Sequence, residues 1–137
     1  MRISSRCRYG VRLLIDLAEN IEKTHVSLAS VAERKKISVR YLEQVAVMLR
    51  RAAFIRSVKG ASGGYTLARP PEEIIVGDVL RALEGDMLAV DPPLRTSQES
   101  KLQRCIRTAV YERLNESIAG VIDHQTLASL VGTRNPG

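Results

Sequence analysis

Apolar residues recur at helical spacing along most of the chain and alternate in only one place. From about Arg6 to Glu19, Tyr9, Leu13, Asp16-Leu17 and Ile21 sit around a helical repeat. Val11, Leu14, Ile15 and Ala18 widen it into a broad apolar face. After a polar break, Ser27 is placed to cap a short helix from Leu28 to Arg34, with Leu28, Val31 and Ala32 at i, i+3 and i+4. Lys35-Lys36-Ile37 reads as a turn with one apolar plug. Ser38 then caps a helix from Val39 to Ala53, with Leu42, Val45, Ala46 and Leu49 inward and Arg40, Tyr41, Glu43, Gln44, Arg50 and Arg51 outward. Next come two strand-like runs, Phe54–Val58 and Tyr65–Ala68. Between them the tip Lys59-Gly60-Ala61-Ser62-Gly63-Gly64 is basic and rich in glycine.

Arg69-Pro70-Pro71 stops the second strand, because proline supplies no ladder donor. Ile74-Ile75-Val76 is an apolar connection, and Gly77-Asp78 opens a helix from Val79 to Glu84 that ends at Gly85. Asp86 to Gln98 has adjacent prolines and no sustained period, so it reads as a linker. Ser97 to about Asp123 is the longest pattern: Leu102, Ile106, Ala109-Val110, Leu114, Ser117-Ile118 and Val121-Ile122 recur over about seven turns. A short helical segment, Gln125 to Val131, and a frayed tail from Gly132 to Gly137 follow.

The expected fold is mainly α with a small β-wing. Residues 1–85 form a winged helix-turn-helix, 86–98 a linker, and 99–131 a dimerisation helix with a C-terminal segment. The dimer follows from the long stripe, which has little core of its own left to cover. A two-fold pairing with a second copy is the commonest way to bury such a surface.

Charge sharpens this picture. Residues 1–69 hold fourteen Lys or Arg against five Asp or Glu, a balance of +9; residues 70–137 hold seven against ten, a balance of −3. One half therefore suits a polyanion. Charge alone does not choose among DNA, RNA and an anionic membrane; the helix-turn-helix decides for double-stranded DNA. One Phe, four Tyr and no Trp offer few stacking platforms for single strands. No apolar run reaches the roughly 18 residues of a membrane span, so a cytoplasmic location is expected. Two cysteines cannot build a disulfide framework. No phosphate loop joins a strand to a helix and no histidine cluster has metal or nucleophile spacing, so the chain is not expected to be an enzyme.

The candidate DNA contacts follow from side-chain chemistry. Gln44 carries the amide pair that bonds an adenine edge, Tyr41 can give its hydroxyl to a phosphate and its ring to a thymine methyl, Glu43 either accepts from a cytosine amino group or repels unwanted phosphate geometries, and Arg40 shares their outer face. Ser38, Arg8 and Arg56 are candidates for the phosphate backbone, and Lys59 for a phosphate or the minor groove. The front of the first helix, where Ser4, Ser5, Arg6, Arg8 and Arg12 collect, suits a phosphate. Two half-sites in a roughly palindromic operator would match a dimer. Cys105, near Lys101, Arg104 and Arg107, reads either as a small apolar residue at the edge of the stripe or as a redox sensor. Cys7, between Arg6 and Arg8, reads either as a part-buried filler or as a second thiol of lowered pKa. No metal ligands are assigned. A winged-helix protein-interaction module that binds no DNA is the reading from another class.

The segments MRISSRCRYGVRLLIDLA, ISVRYLEQV, RSVKGASGGYTLARPPEEI and VGDVLRALEG together resemble the Rrf-two family of bacterial winged helix-turn-helix transcription regulators. The likeness runs along nearly the whole chain, although Cys7 stands where most relatives have glycine. It implies a dimeric regulator. In cluster-binding members, three cysteines and a histidine hold an iron–sulfur group; aligned through Cys105, the other three positions fall near Pro93 and Glu99 and on Thr108. With three of four ligands missing, no cofactor is expected, and the chain resembles the cluster-free CymR-like branch more than the IscR-like one. That branch implies a repressor of cysteine and sulfur metabolism with a cysteine-biosynthesis enzyme as co-repressor. The alternative within the family is an iron–sulfur or thiol-based redox regulator.

Overall fold

The computed structural model describes residues 2–60, 63–95 and 97–132. Helix α1 (Ser5–Glu19) runs through the middle of the core, with Leu13, Leu14 and Leu17 buried. Its first turn is capped by Ser4, whose Oγ accepts from the Cys7 N–H at 3.2 Å. The helix ends before Ile21, which the repeat places on its apolar face. The Asn20 N–H donates to the Asp16 and Leu17 carbonyls and turns the chain out, leaving Ile21 51% exposed.

Helix α2 (Leu28–Lys35) starts at its Ser27 cap and ends at Lys36, which is left-handed (φ 56°) and lets Ile37 drop into the core. Ser38 caps α3 (Val39–Arg51). The sequence carries this helix to Ala53, but it stops at Arg51. Ala53 is left-handed (φ 64°), and the Phe54 N–H donates back to the Leu49 carbonyl at 3.0 Å. That turn swings Phe54 and Ile55 inward, where burying both rewards the bend.

Strands β1 (Ile55–Val58) and β2 (Gly64–Leu67) pair antiparallel, Ile55 opposite Leu67 and Val58 opposite Gly64. Val26 adds a third, one-residue partner: it exchanges two N–H···O bonds of 2.8 Å with Tyr65, tying the wing to the segment that enters α2. A 3-10 turn (Pro71–Glu73) leads to α4 (Val76–Glu84). This helix opens three residues earlier than the sequence suggested. Ile75 is held in a bridge with Thr126 and the Val76 N–H donates to the Gln125 carbonyl (2.9 Å), so helix can begin at once. At the crossing of α1 and α4, a side chain on Gly10 would come within 2.4 Å of Leu83 Cδ1, so the helices approach as closely as glycine permits.

Among its described residues the expected linker has no regular structure. It is nevertheless pinned: Met87 is buried, and the Asn115 amide accepts from the Ala89 N–H (2.8 Å) and donates to the Val90 carbonyl (2.9 Å). The long helix begins at Lys101 rather than Ser97, because Ser100 and Gln103 form a reciprocal capping box that fixes the start. It continues without a break as α5 (Lys101–Ile106), a π-helical stretch (Arg107–Tyr111) and α6 (Glu112–Ile122). Arg81 on α4 grips Asp123 with two bonds of 2.7 and 2.8 Å and anchors the far end of this rod. Helix α7 (Leu127–Leu130) packs back on α1 with Leu127 fully buried, so the C-terminal segment contributes to the core of the N-terminal part. Tip residues Ala61 and Ser62, and tail residues 133–137, lie outside the described residues. Among the described residues no helix is long and apolar enough to cross a membrane.

Candidate DNA-binding surface

Helix α3 is seated by Leu42, Val45, Ala46 and Leu49, each at most 1% exposed. That leaves Arg40, Glu43, Gln44, Arg50 and Arg51 facing solvent on the opposite side. Ser38 is exposed at the helix front, where its Oγ also accepts the Tyr41 N–H at 3.4 Å. Tyr41 is a correction. It is half-buried, and its ring stands edge-to-face on Tyr9 of α1 (centroids 5.0 Å, interplanar 89°), because aromatic quadrupoles favour that geometry. Tyr41 therefore joins α3 to α1 instead of sharing the outer face with Arg40 and Gln44. Conversely, Val39 was overlooked. It is 40% exposed beside Ser38 and Arg40 and is absent from the apolar core cluster. Periodicity hides it, since position 39 lies three residues before Leu42 and seven before Ala46, on the side of the helix that the repeat assigns to the core.

On the wing, Arg56 is exposed on β1 opposite Thr66, and Lys59 is exposed where β1 gives way to the tip. Gly60 takes φ +150°, a backbone region that side-chain-bearing residues rarely adopt, so glycine is required there for the turn. Arg8 is exposed on α1, donating to Ser5 Oγ at 3.0 Å.

The phosphate site expected at the front of α1 is altered by α4. Glu84 reaches it, accepting from Ser4 Oγ at 2.6 Å and from Arg6 at 3.4 Å. These bonds, the Ser4 one first, hold its carboxylate below the usual range. A carboxylate already in place opposes a phosphate there. Arg12 is likewise structural: it donates to the Lys35 carbonyl at 2.5 Å with its guanidinium 5.8 Å from the Tyr9 ring centroid. Arg34 pairs with Asp16 and Lys35 with Glu19. Among the described residues Arg40, Arg50, Arg51, Arg56 and Lys59 make no ion pair. These five charges on α3 and the wing thus stay available to a polyanion, as do Arg8 on α1 and Lys36 ahead of α3.

The two thiols differ sharply. Cys7 is completely buried, with Sγ 3.8 Å from the Leu80 carbonyl and 3.6 Å from the Glu84 carboxylate. Burial pushes this thiol's pKa up, and the Glu84 charge adds to the shift, so of the two readings of Cys7 the buried filler fits and the thiol of lowered pKa does not. Cys105 is exposed on α5. The arginines near it in sequence are engaged elsewhere: Arg107 bonds both Glu99 oxygens (2.8 and 2.9 Å) and Glu112, and Arg104 lies 3.5 Å from Glu99.

Comparison with known proteins places these features in a family. The model of the Rrf2 family, described as an iron-dependent transcriptional regulator, matches residues 3–133. The chain is 35% identical over 130 residues to the HTH-type transcriptional regulator CymR of Bacillus subtilis, covering 95% of this chain and 89% of CymR. It is 35% identical over 138 residues to the HTH-type transcriptional regulator IscR of Serratia proteamaculans, covering 98% and 82%. The solved structure of B. subtilis CymR, the global cysteine regulator of that organism, superposes with a TM-score of 0.84 at 32% identity, over 98% of this chain and 99% of that one. The helix-turn-helix, its basic wing, the long C-terminal helix and these matches together show a winged-helix, DNA-binding transcription regulator, and the chain belongs to the Rrf2 family.

Proposed function

We propose that the chain acts as a homodimeric, sequence-specific repressor of cysteine and sulfur metabolism genes, reading its operator with α3 and the wing. The observation that carries the DNA-reading part is the unpaired basic face, Arg40, Arg50, Arg51, Arg56 and Lys59, around the exposed Gln44 and Glu43. Gln44 and Glu43 read base edges with Arg40 beside them, Lys59 and Arg56 grip backbone or minor groove, and Ser38 and Arg8 hold flanking phosphates. Tyr41 supports α3 from behind. Dimerisation is supported by the apolar stripe of the long helix, where Leu102, Ile106, Val110, Leu114 and Val121 are between 37% and 70% exposed. The pathway rests on the likeness to CymR, and a cysteine-biosynthesis enzyme as co-repressor belongs to the same reading.

This reading includes no resident cluster, although the family description names iron. The chain's donors do not fit an iron–sulfur group, which is held by cysteine thiolates with occasional histidines. Pro93 and Thr108 offer neither, Cys7 is sealed beneath α4, and both Glu99 oxygens are engaged by Arg107. Among the described residues no group of three or more His, Cys, Asp or Glu stands together as a metal site.

Selection of bound duplexes from a random library tests the proposal. The recovered sites are expected to be inverted repeats. Gln44→Ala is expected to relax preference at one position per half-site, costing about 1–3 kcal/mol of discrimination. Lys59→Ala should weaken binding to all sequences alike and flatten the salt dependence by about one unit of slope, the share of a single phosphate. Identical profiles for the two variants would defeat this division of labour.

A thiol input at Cys105 is the second reading, favoured by that side chain's exposure. Peroxide should then weaken operator binding by the parent protein and leave Cys105→Ser unaffected; an equal response in both removes the switch.

A further inference from the structure

The apolar residues of α3 are buried or half-buried with one exception, Val39. It is the first residue of the helix, is 40% exposed, and lies outside the buried core cluster. Local structure does not ask for valine here. The first helical position favours proline or a good helix former, and a β-branched residue is neither. Its immediate neighbours, Ser38 and Arg40, are polar and exposed, so the side chain is an isolated apolar point on a hydrophilic surface.

From this placement we infer that Val39 reads a thymine methyl in the major groove. The inference rests on the DNA-reading role of α3 proposed above. The N-terminal residues of a recognition helix are the ones that reach base edges, and the C5-methyl of thymine is the apolar feature of the major-groove edges. Branching at Cβ restricts χ1, so the two methyls of Val39 are presented with little rotamer freedom to lose on binding. Val39 and Glu43 stand four residues apart on one side of the helix. The pair therefore offers a methyl-binding point beside a carboxylate that accepts from a cytosine amino group.

The test uses the full chain and the operator recovered by selection, with each thymine replaced in turn by uracil, which removes only the methyl. In each half-site one replacement is expected to weaken binding of the parent protein about fourfold, the worth of one buried methyl group. Val39→Ala should bind the thymine operator about fourfold more weakly and show no further loss on the uracil operator. Because Val39 is exposed, the variant should unfold at the parent's temperature, which distinguishes a defect in reading from a defect in folding. The inference is overturned if the parent is indifferent to every uracil, or if Val39→Ala keeps the full thymine preference. In either case a selected operator leaves the DNA-reading proposal standing. If selection recovers no preferred sequence, that proposal fails and this inference fails with it.

Discussion

Gly64→Ala is expected to destabilise the protein by about 2–4 kcal/mol, combining an overpacked contact with the weakening of two backbone hydrogen bonds. The cause is space. A Cβ at position 64 would sit 2.4 Å from the Val26 carbonyl oxygen, 2.6 Å from its carbon and 2.9 Å from the Ser27 nitrogen. All three are backbone atoms, so no side-chain rotation relieves the clash. The Val26–Tyr65 bridge, with both bonds at 2.8 Å, must open, and with it goes the tie between the wing and the entry to α2. DNA binding should suffer beyond the loss of stability, because the angle between wing and α3 depends on that tie. Urea unfolding and operator titration of the same variant check both statements. A variant as stable as its parent would mean that the close approach at Val26 is not present.

Arg34→Ala should cost about 2–3 kcal/mol, somewhat less than the ~3–5 kcal/mol for breaking a fully buried pair, because the guanidinium is partly exposed and screened. Asp16 is 2% exposed in the middle of α1. Its carboxylate is held by Arg34 from α2 through bonds of 2.9 and 2.7 Å, with a weaker contribution from Asn20 at 3.3 Å. Removing the arginine strands a charge in the core, whereas removing both charges does not. Arg34→Ala combined with Asp16→Asn should therefore recover a substantial part of the loss. A double variant no more stable than Arg34→Ala alone would show that the side chains do not depend on each other. This pair also fixes α2 against α1, so a basic residue beside the reading helix serves the fold.

Helix existence and order were legible because periodicity reports burial directly. The Ser27 and Ser38 caps sit where the sequence places them, whereas the caps at Ser4 and Ser100 emerge only in the structure. Boundaries were less legible where a remote segment set them. Helix α4 begins early because residues 125 and 126 pair with Ile75 and Val76, about fifty positions earlier in the chain. The candidate site divided in the same way. Gln44, Glu43, Arg40, Arg56 and Lys59 are displayed as their spacing required. Tyr41 was drawn inward by Tyr9, and Glu84 crossed to the front of α1. No local rule contains those partners.

By itself the sequence determined the winged helix-turn-helix, the long C-terminal helix and the basic reading half, because each depends on short-range spacing and summed charge. Only the tertiary structure decided which of those charges stay available. Arg6, Arg12, Arg34 and Lys35 are committed to partners between 16 and 78 positions away, while α3 and the wing keep theirs. The same long-range packing sealed Cys7 and left Val39 exposed. Local sequence sets which face a residue belongs to; the partner that covers that face is chosen by the way the helices cross.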